Sequence, residues 1–197
     1  MINLQATPIF SQDCVLCGAI SPALVCPECS AALPACGDDT IAVYSYRFPI
    51  DRLMQRFKYA GDLAIGRWFA EQLLLRVRTL ERPDLIVAPP STIARLRSRG
   101  FNPALEIAKS VARGLGVPCA IEGLERTRET SPQPGLGRSA RSRNIAGAMR
   151  CGLALEGRHV ALVDDVMTTG ATAMAATKVL EDRGAARVSV WVVARTP

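Results

Sequence analysis

The sequence predicts an α/β fold, a mostly parallel sheet flanked by helices, with a small four-cysteine module ahead of it. Three observations predict it. From Ile41 onward, short apolar runs alternate with segments of helical period, and strand, crossover helix, strand builds right-handed βαβ units. Residues 1–36 are rich in Cys and Pro, hold two C-x2-C pairs and show no periodicity. The apolar fraction is 49% of 197 residues, which supplies the core of one ordinary domain plus a small module and excludes global disorder.

The module comes first. Cys14-Val15-Leu16-Cys17 and Cys26-Pro27-Glu28-Cys29 are two knuckles eight residues apart. Each sets two thiolates on one side of a tight turn, and two such pairs complete a tetrahedron around zinc. The plainer alternative is four buried free cysteines. A redox pair fits poorly, because neither knuckle has a βαβ setting. Cys36 is a spare competitor, Cys119 and Cys151 read as core, and the single His159 opens a core strand and is a weak metal candidate. The expected boundaries are 1–38 for the module and 39–197 for the α/β domain, with Cys36-Gly37-Asp38-Asp39 as linker.

Ile41–Tyr46 has strand character, and Leu53–Tyr59 is a short helical pattern ended by Gly61. Asp62 caps a helix whose apolar face is Ile65, Phe69, Leu73, Val77 and Leu80. Leu85–Ala88 is a buried strand closed by Pro89-Pro90. Asn102-Pro103 starts a helix with the face Leu105, Ala108, Val111, Ala112 and Leu115, ended by Gly116. His159–Val163 is a strand, Ala171–Arg183 a helix stopped by Gly184, and Val188–Ala194 a strand. Trp68, Phe69 and Trp191 read as core. Residues 123–147 break the pattern with Gly, Pro, Arg and Ser, as a functional lid or a disordered stretch would.

No apolar run approaches bilayer length, so no membrane insertion is expected. The first basic residue is Arg47, and the N-terminus lacks the pattern of a secretory signal. A cytoplasmic location is therefore expected, where thiols stay reduced. Residues 92–150 hold 11 Lys and Arg against four Glu, which is +7, while the whole chain is +6. A localised positive field suits a polyanion, either a phosphorylated small molecule or nucleic acid. Twenty-one of the 24 basic residues are Arg, which fits phosphate recognition and also a general Arg-for-Lys bias.

The most specific segment is Val160-Ala161-Leu162-Val163-Asp164-Asp165-Val166-Met167-Thr168-Thr169-Gly170-Ala171-Thr172. An apolar strand delivers two adjacent carboxylates to its C-terminal end. A turn of small hydroxyl residues and Gly follows, and a helix begins. Ligands of open α/β sheets bind at such ends. Backbone N–H groups of the turn and the helix N-terminus form an anion nest. Two carboxylates beside a phosphate site must face neutral hydroxyls or a cation. A sugar phosphate meets both needs, and a bare magnesium site is the simpler alternative.

This stretch resembles the phosphoribosyl pyrophosphate (PRPP) signature of type I phosphoribosyltransferases. Other features narrow the resemblance to the ComF family of competence-associated, phosphoribosyltransferase-like proteins. They are the four-Cys module, Phe57-Lys58-Tyr59-Ala60-Gly61-Asp62, Arg99-Gly100-Phe101-Asn102, and Gln133 followed by Arg138, Arg141, Arg143, Asn144 and Gly147. The resemblance covers nearly the whole chain. Pro103 departs from it where the family usually shows Gln, and the turn Pro89-Pro90-Ser91 carries no acid.

The resemblance implies the following roles. Asp164 and Asp165 would accept hydrogen bonds from the ribose hydroxyls of PRPP. Thr168, Thr169, Gly170, Ala171 and Thr172 would cradle the 5′-phosphate. Ala88, Pro89, Pro90 and Ser91 would approach the pyrophosphate, with Lys58 and Arg99 as counter-charges. Mg²⁺ would bridge pyrophosphate and ribose oxygens. The segment with Arg126, Arg128, Gln133, Arg138, Arg141 and Arg143 would be a basic lid that excludes water. Each basic group has a plainer reading, a solvated Lys58 and an ordinary basic face for Arg99 with Arg95 and Arg97.

Three functions follow as expectations. One is Mg²⁺-dependent phosphoribosyl transfer from PRPP to an acceptor that no segment identifies. A second is a non-catalytic module handling single-stranded DNA in natural competence, with a competence helicase or other uptake proteins as partners. A third is a PRPP sensor. Aromatic residues are only 5%, so stacking platforms for DNA are scarce. Residues 1–36 hold no Lys or Arg and carry Asp13 and Glu28, which points to a structural or protein-binding module unless it borrows positive charge from residues 92–150.

Overall fold

The computed structural model describes residues 12–33, 41–127 and 148–196. At the N-terminus, β1 (Gln12–Asp13) and β2 (Ile20–Ser21) form an antiparallel ribbon, followed by the one-turn helix α1 (Pro27–Ala31). Pro27 sits at the first helical position, where no N–H is needed. The expected linker lies outside the described residues, apart from the end of the module at Leu33.

The main sheet contains β3 (Ile41–Ser45), β4 (Leu85–Val87), β5 (Cys119–Ala120), β8 (His159–Met167) and β9 (Arg187–Arg195). Its order is β3-β9-β8-β4-β5, and every pair is parallel. A separate antiparallel ribbon joins β6 (Glu125–Arg126) to β7 (Met149–Arg150). The helices are α2 (Ile50–Ala60), α3 (Leu63–Val77), α4 (Ile93–Arg99), α5 (Pro103–Leu115) and α6 (Ala171–Asp182).

Period-two alternation divides the core. Ala161, Val163, Trp191 and Val193 pack with α2, α3 and α5 on one face. Val160, Leu162, Leu85 and Val87 pack with α6 on the other. Right-handed crossovers running in opposite directions put α5 and α6 on opposite faces. The winding therefore reverses between β4 and β8, and a crevice opens outside the C-terminal ends of these two strands. At the opposite end His159 is buried, its Nε2 2.9 Å from Ser189 Oγ, so its role is within the core. Trp68, Phe69 and Trp191 are core as expected.

The structure corrects several boundaries. Strand β8 continues through Met167, so the acidic pair lies within the strand and not past it. Helix α3 stops at Val77, and Leu80 is 43% exposed. The face of α5 is centred on Ile107, with Leu105 and Leu115 only half-buried, because that helix packs on both the sheet and α3. Helix α4 has no sequence counterpart; seven residues are too few for a period to show. The expected pattern break at 123 is already ordered as β6, and Thr127 N–H donates to Ala148 O at 3.0 Å. The ribbon thus ties together the two ends of the Arg-rich segment.

The module has no separate core. Val25 and Leu33 join the same apolar cluster as Tyr44, Trp68 and Leu73, with Val15, Leu16 and Leu24 packed alongside. Among the described residues no helix is long and apolar enough to cross a membrane.

Candidate functional site

Adjacent residues of a strand point to opposite faces, so the acidic pair is split. Asp165 lies on the side of α2, α3 and α5. It is 9% exposed, and Lys58 Nζ donates to its Oδ1 at 2.7 Å. The same oxygen accepts the Val166 N–H at 2.6 Å. Asp164 is half-buried and accepts the Asp165 N–H at 2.8 Å. Burial first, and then the charge of Asp165, push the Asp164 carboxyl from 3.8 up to about 7, against the pull of the Asp165 N–H, Lys58 and Arg95. Asp165 is thus buried against a lysine in the free protein, and Asp164 is the more accessible of the two carboxylates.

The Thr-Gly turn follows without a break. Thr168 is exposed, and Thr169 and Gly170 are half-buried. Gly170 has φ 76°, the left-handed region where a side chain would be strained, and it forms the N-cap of α6. Thr196 Oγ1 donates to Thr168 O at 3.2 Å, which holds the turn from the end of β9. The first turn of α6 carries no acidic residue. The Ala171 N–H donates to Thr169 Oγ1 at 3.4 Å, and the remaining N–H groups of that turn, with the positive end of the helix dipole, are open to an anion. Ala171 is buried and Thr172 half-buried, both on α6 and not in the turn.

Across the crevice, β4 runs into Ala88-Pro89-Pro90-Ser91. Two side chains brace this loop by its carbonyls. Asn102 Nδ2 donates to Pro89 O at 2.9 Å, and Arg126 Nε donates to Pro90 O at 3.1 Å. Asn102 occupies the N-cap position of α5 but makes no capping bond; its amide serves the loop instead. Arg126, expected on the lid, is placed on β6 at the base of the loop. Arg128, Gln133, Arg138, Arg141 and Arg143 lie outside the described residues. Asn102→Ala should weaken binding of a pyrophosphate-bearing ligand by about tenfold, because the loop loses a brace worth about 1 kcal/mol, and the same loss should lower the thermal midpoint by about 2–4 °C. Titration calorimetry with a melting curve checks this.

Two motifs that are distant in sequence meet here. Phe57 packs on Phe101 with ring centroids 5.5 Å apart. Lys58 reaches Asp165, and the Arg99 guanidinium lies 4.6 Å from the centroid of the Tyr59 ring. Gly66 permits this packing of α2 on α3, since an added Cβ would stand 2.8 Å from Phe57 Cζ. Three groups to which the sequence reading gave no site role belong to the same neighbourhood. Arg95 on α4 acts on Asp164. Tyr46, just past β3, has its phenol pushed up by burial and by the charges of Asp51 and Asp165. Tyr59 holds Arg99. Nothing in the local sequence of Tyr46 marks it; only the sheet order brings β3 and α2 to β8.

In the module, the sulfurs of Cys14, Cys17, Cys26 and Cys29 all lie within 4.8 Å of one another, and Cys17 Sγ is 3.8 Å from Cys26 Sγ. A tetrahedron with bonds of about 2.3 Å has edges of about 3.8 Å. Backbone N–H groups back the sulfurs, Cys26 N to Cys14 Sγ at 3.3 Å and Cys29 N to Cys26 Sγ at 3.4 Å. Burial opposes the Cys14 thiolate, but the N–H groups of Cys26, Cys17 and Leu16 outweigh it and bring the thiol down to about 6. Cys29 is pushed up to about 12 by the sulfurs of Cys26 and Cys17 and by burial. The four sulfurs are close enough together to hold one tetrahedral ion.

The chain is similar to several known proteins. The phosphoribosyl transferase domain family matches residues 102–197, which include Asn102, the acidic pair and the Thr-Gly turn. DNA utilization protein YhgH of Escherichia coli (strain K12) is 35% identical over 193 residues, covering 87% of this chain and 84% of that one. Competence protein F of Haemophilus influenzae is 32% identical over 179 residues, covering 86% and 78%. An adenine phosphoribosyltransferase of Leishmania donovani is 14% identical over 82% of this chain and 86% of that one, with a TM-score of 0.47. With a third of the residues identical along most of both chains, this protein belongs to the ComF family of DNA utilization and competence proteins.

Proposed function

We propose that this protein binds PRPP with Mg²⁺ and transfers its phosphoribosyl group to an acceptor, in the service of DNA uptake. The observation that supports this reading best is the continuous run from the split acidic pair through the Thr-Gly turn into a helix N-terminus free of acids, facing a braced loop across the sheet's switch point. The carboxylates take the ribose hydroxyls, the turn takes the 5′-phosphate, and Pro90 and Ser91 border the pyrophosphate. Among the described residues the only close grouping of three or more metal-ligating side chains is the four cysteines. Oxygens of the bound ligand would hold Mg²⁺, which would supply charge neutralisation for the leaving pyrophosphate. Lys58, Arg95 and Arg99 add positive charge where that leaving group gains negative charge. Zinc in the cysteine module is structural, and a reducing cytoplasm keeps its ligands available.

A second reading, handling of single-stranded DNA, is favoured by α4. None of its seven residues is buried, and Arg95, Arg97 and Arg99 lie along it. Calorimetry with PRPP and Mg²⁺ tests the first reading. One site per chain is expected. No heat at about 1 mM PRPP, beyond the weakest specific affinities, would sink PRPP transfer and PRPP sensing together and leave the DNA reading.

A further inference from the structure

The Lys58–Asp165 pair is a long-range contact, spanning 107 residues between the last turn of α2 and the end of β8. Both side chains are withdrawn from water, at 17% and 12% exposed. Its neighbours fix the backbone from which Lys58 extends. Phe57 is packed on Phe101, Tyr59 on Arg99, and Gly61 (φ 67°) ends the helix three residues on. The pivot is rigid and only the four-carbon stem is free to swing, which suits a compact ammonium that exchanges partners.

The pair also occupies the place a ligand needs. Asp165 Oδ1 already accepts from Val166 N–H and Lys58. A ribose hydroxyl is neutral and cannot replace the charge of Lys58 on this carboxylate. A pyrophosphate can, because it presents a stronger anion to the ammonium. The groups facing the pair are Arg95 from α4, Asp164 on β8 and Tyr46 beyond β3. Arg95 also acts on Asp164, so the acidic pair keeps a counter-charge while Lys58 is away.

We propose that Lys58 is a positioning residue that works by ion-pair exchange: it holds Asp165 in the free protein and moves to the pyrophosphate of arriving PRPP, releasing the carboxylate to the ribose. This rests on the PRPP reading. It makes ribose binding and pyrophosphate binding cooperative, since the carboxylate is opened by the ligand's other end.

Lys58, Lys109 and Lys178 are the chain's three lysines, so reductive ¹³C-dimethylation, which keeps their charge, gives a simple NMR spectrum, assigned with Lys58→Gln. Exchange predicts that PRPP or pyrophosphate with Mg²⁺ shifts the Lys58 signal and that ribose 5-phosphate does not. By calorimetry, Lys58→Gln should weaken PRPP and pyrophosphate by about 10- to 100-fold, as for a lost charged hydrogen bond. Its affinity for ribose 5-phosphate should be unchanged or tighter, because the competitor for Asp165 is gone. Lys58→Arg keeps a cation on Asp165 and should retain folding and most of the PRPP affinity. A ligand-bound wild type whose Lys58 signal stays put, or a Gln variant that loses ribose 5-phosphate as severely as PRPP, overturns the exchange alone. A wild type that binds none of the three overturns the PRPP reading and the exchange with it.

Discussion

Asp164→Asn should weaken PRPP binding by about 10- to 100-fold and yet make the free protein more stable. The first half follows from the site. A ribose hydroxyl donates to a carboxylate, and loss of that charged acceptor costs about 10- to 100-fold in affinity. The second half follows from linkage. The Asp164 carboxyl sits at about 7 when folded against 3.8 when unfolded. The folded state therefore holds more protons between these values, and stability falls as pH rises through that window. Near pH 4 the folded carboxyl is neutral and the unfolded one only about half ionised, so the penalty is small; above about pH 7 it is present in full. Asparagine keeps the acceptor for the Asp165 N–H and carries no charge. The thermal midpoint of the variant should match wild type near pH 4 and exceed it by about 5 °C at pH 8. Melting curves at both pH values, with calorimetry beside them, decide the matter. Equal PRPP affinity in the two proteins would remove Asp164 from the site. A stability gain that is the same at both pH values would remove the ionisation argument. Asp165 is the poorer target, because Asp165→Asn leaves Lys58 without its partner inside the protein.

Removing metal from the cysteine cluster should destabilise the whole chain and not the module alone. Zinc analysis should return one ion per chain, and Cys14→Ser should return none. The module's apolar residues belong to the main cluster, beside the Tyr44–Trp68 stack whose ring centroids are 5.8 Å apart. When the knuckles open, Val25 and Leu33 lose their burial, worth roughly 1.5–3 kcal/mol each. For a chain of this size that lowers the thermal midpoint by on the order of 10 °C. Trp68 fluorescence should change with chelator at the same metal occupancy at which stability falls. Full stability after complete zinc removal would show that the module is an appendage.

Much of this fold was legible in the residues. Strand β8, helix α6 and strand β9 announce themselves because buried parallel strands are continuous apolar runs and the helix between them has a cap and a Gly stop. The four cysteines were legible from spacing, and the acidic pair with its Thr-Gly turn from local chemistry. These are properties of short segments, in which each residue's neighbours in sequence are its neighbours in space.

Tertiary structure decided the rest, and for one physical reason: the decisive contacts join residues far apart in the chain. Two adjacent aspartates look equivalent in a string of letters. The strand's alternation sends one against Lys58, and burial with a neighbouring charge raises the other. Asn102 reads as a helix cap, and only the crevice shows its amide spent on Pro89 O. Arg126 reads as part of a lid and serves as a brace for Pro90. The cysteine module reads as self-contained, and only packing shows that it shares the domain's core. The sequence by itself determined which chemical groups this protein carries and on which elements. The order of the strands determined which of those groups meet, because the winding of the sheet brings the ends of α2, β4 and β8 to one crevice.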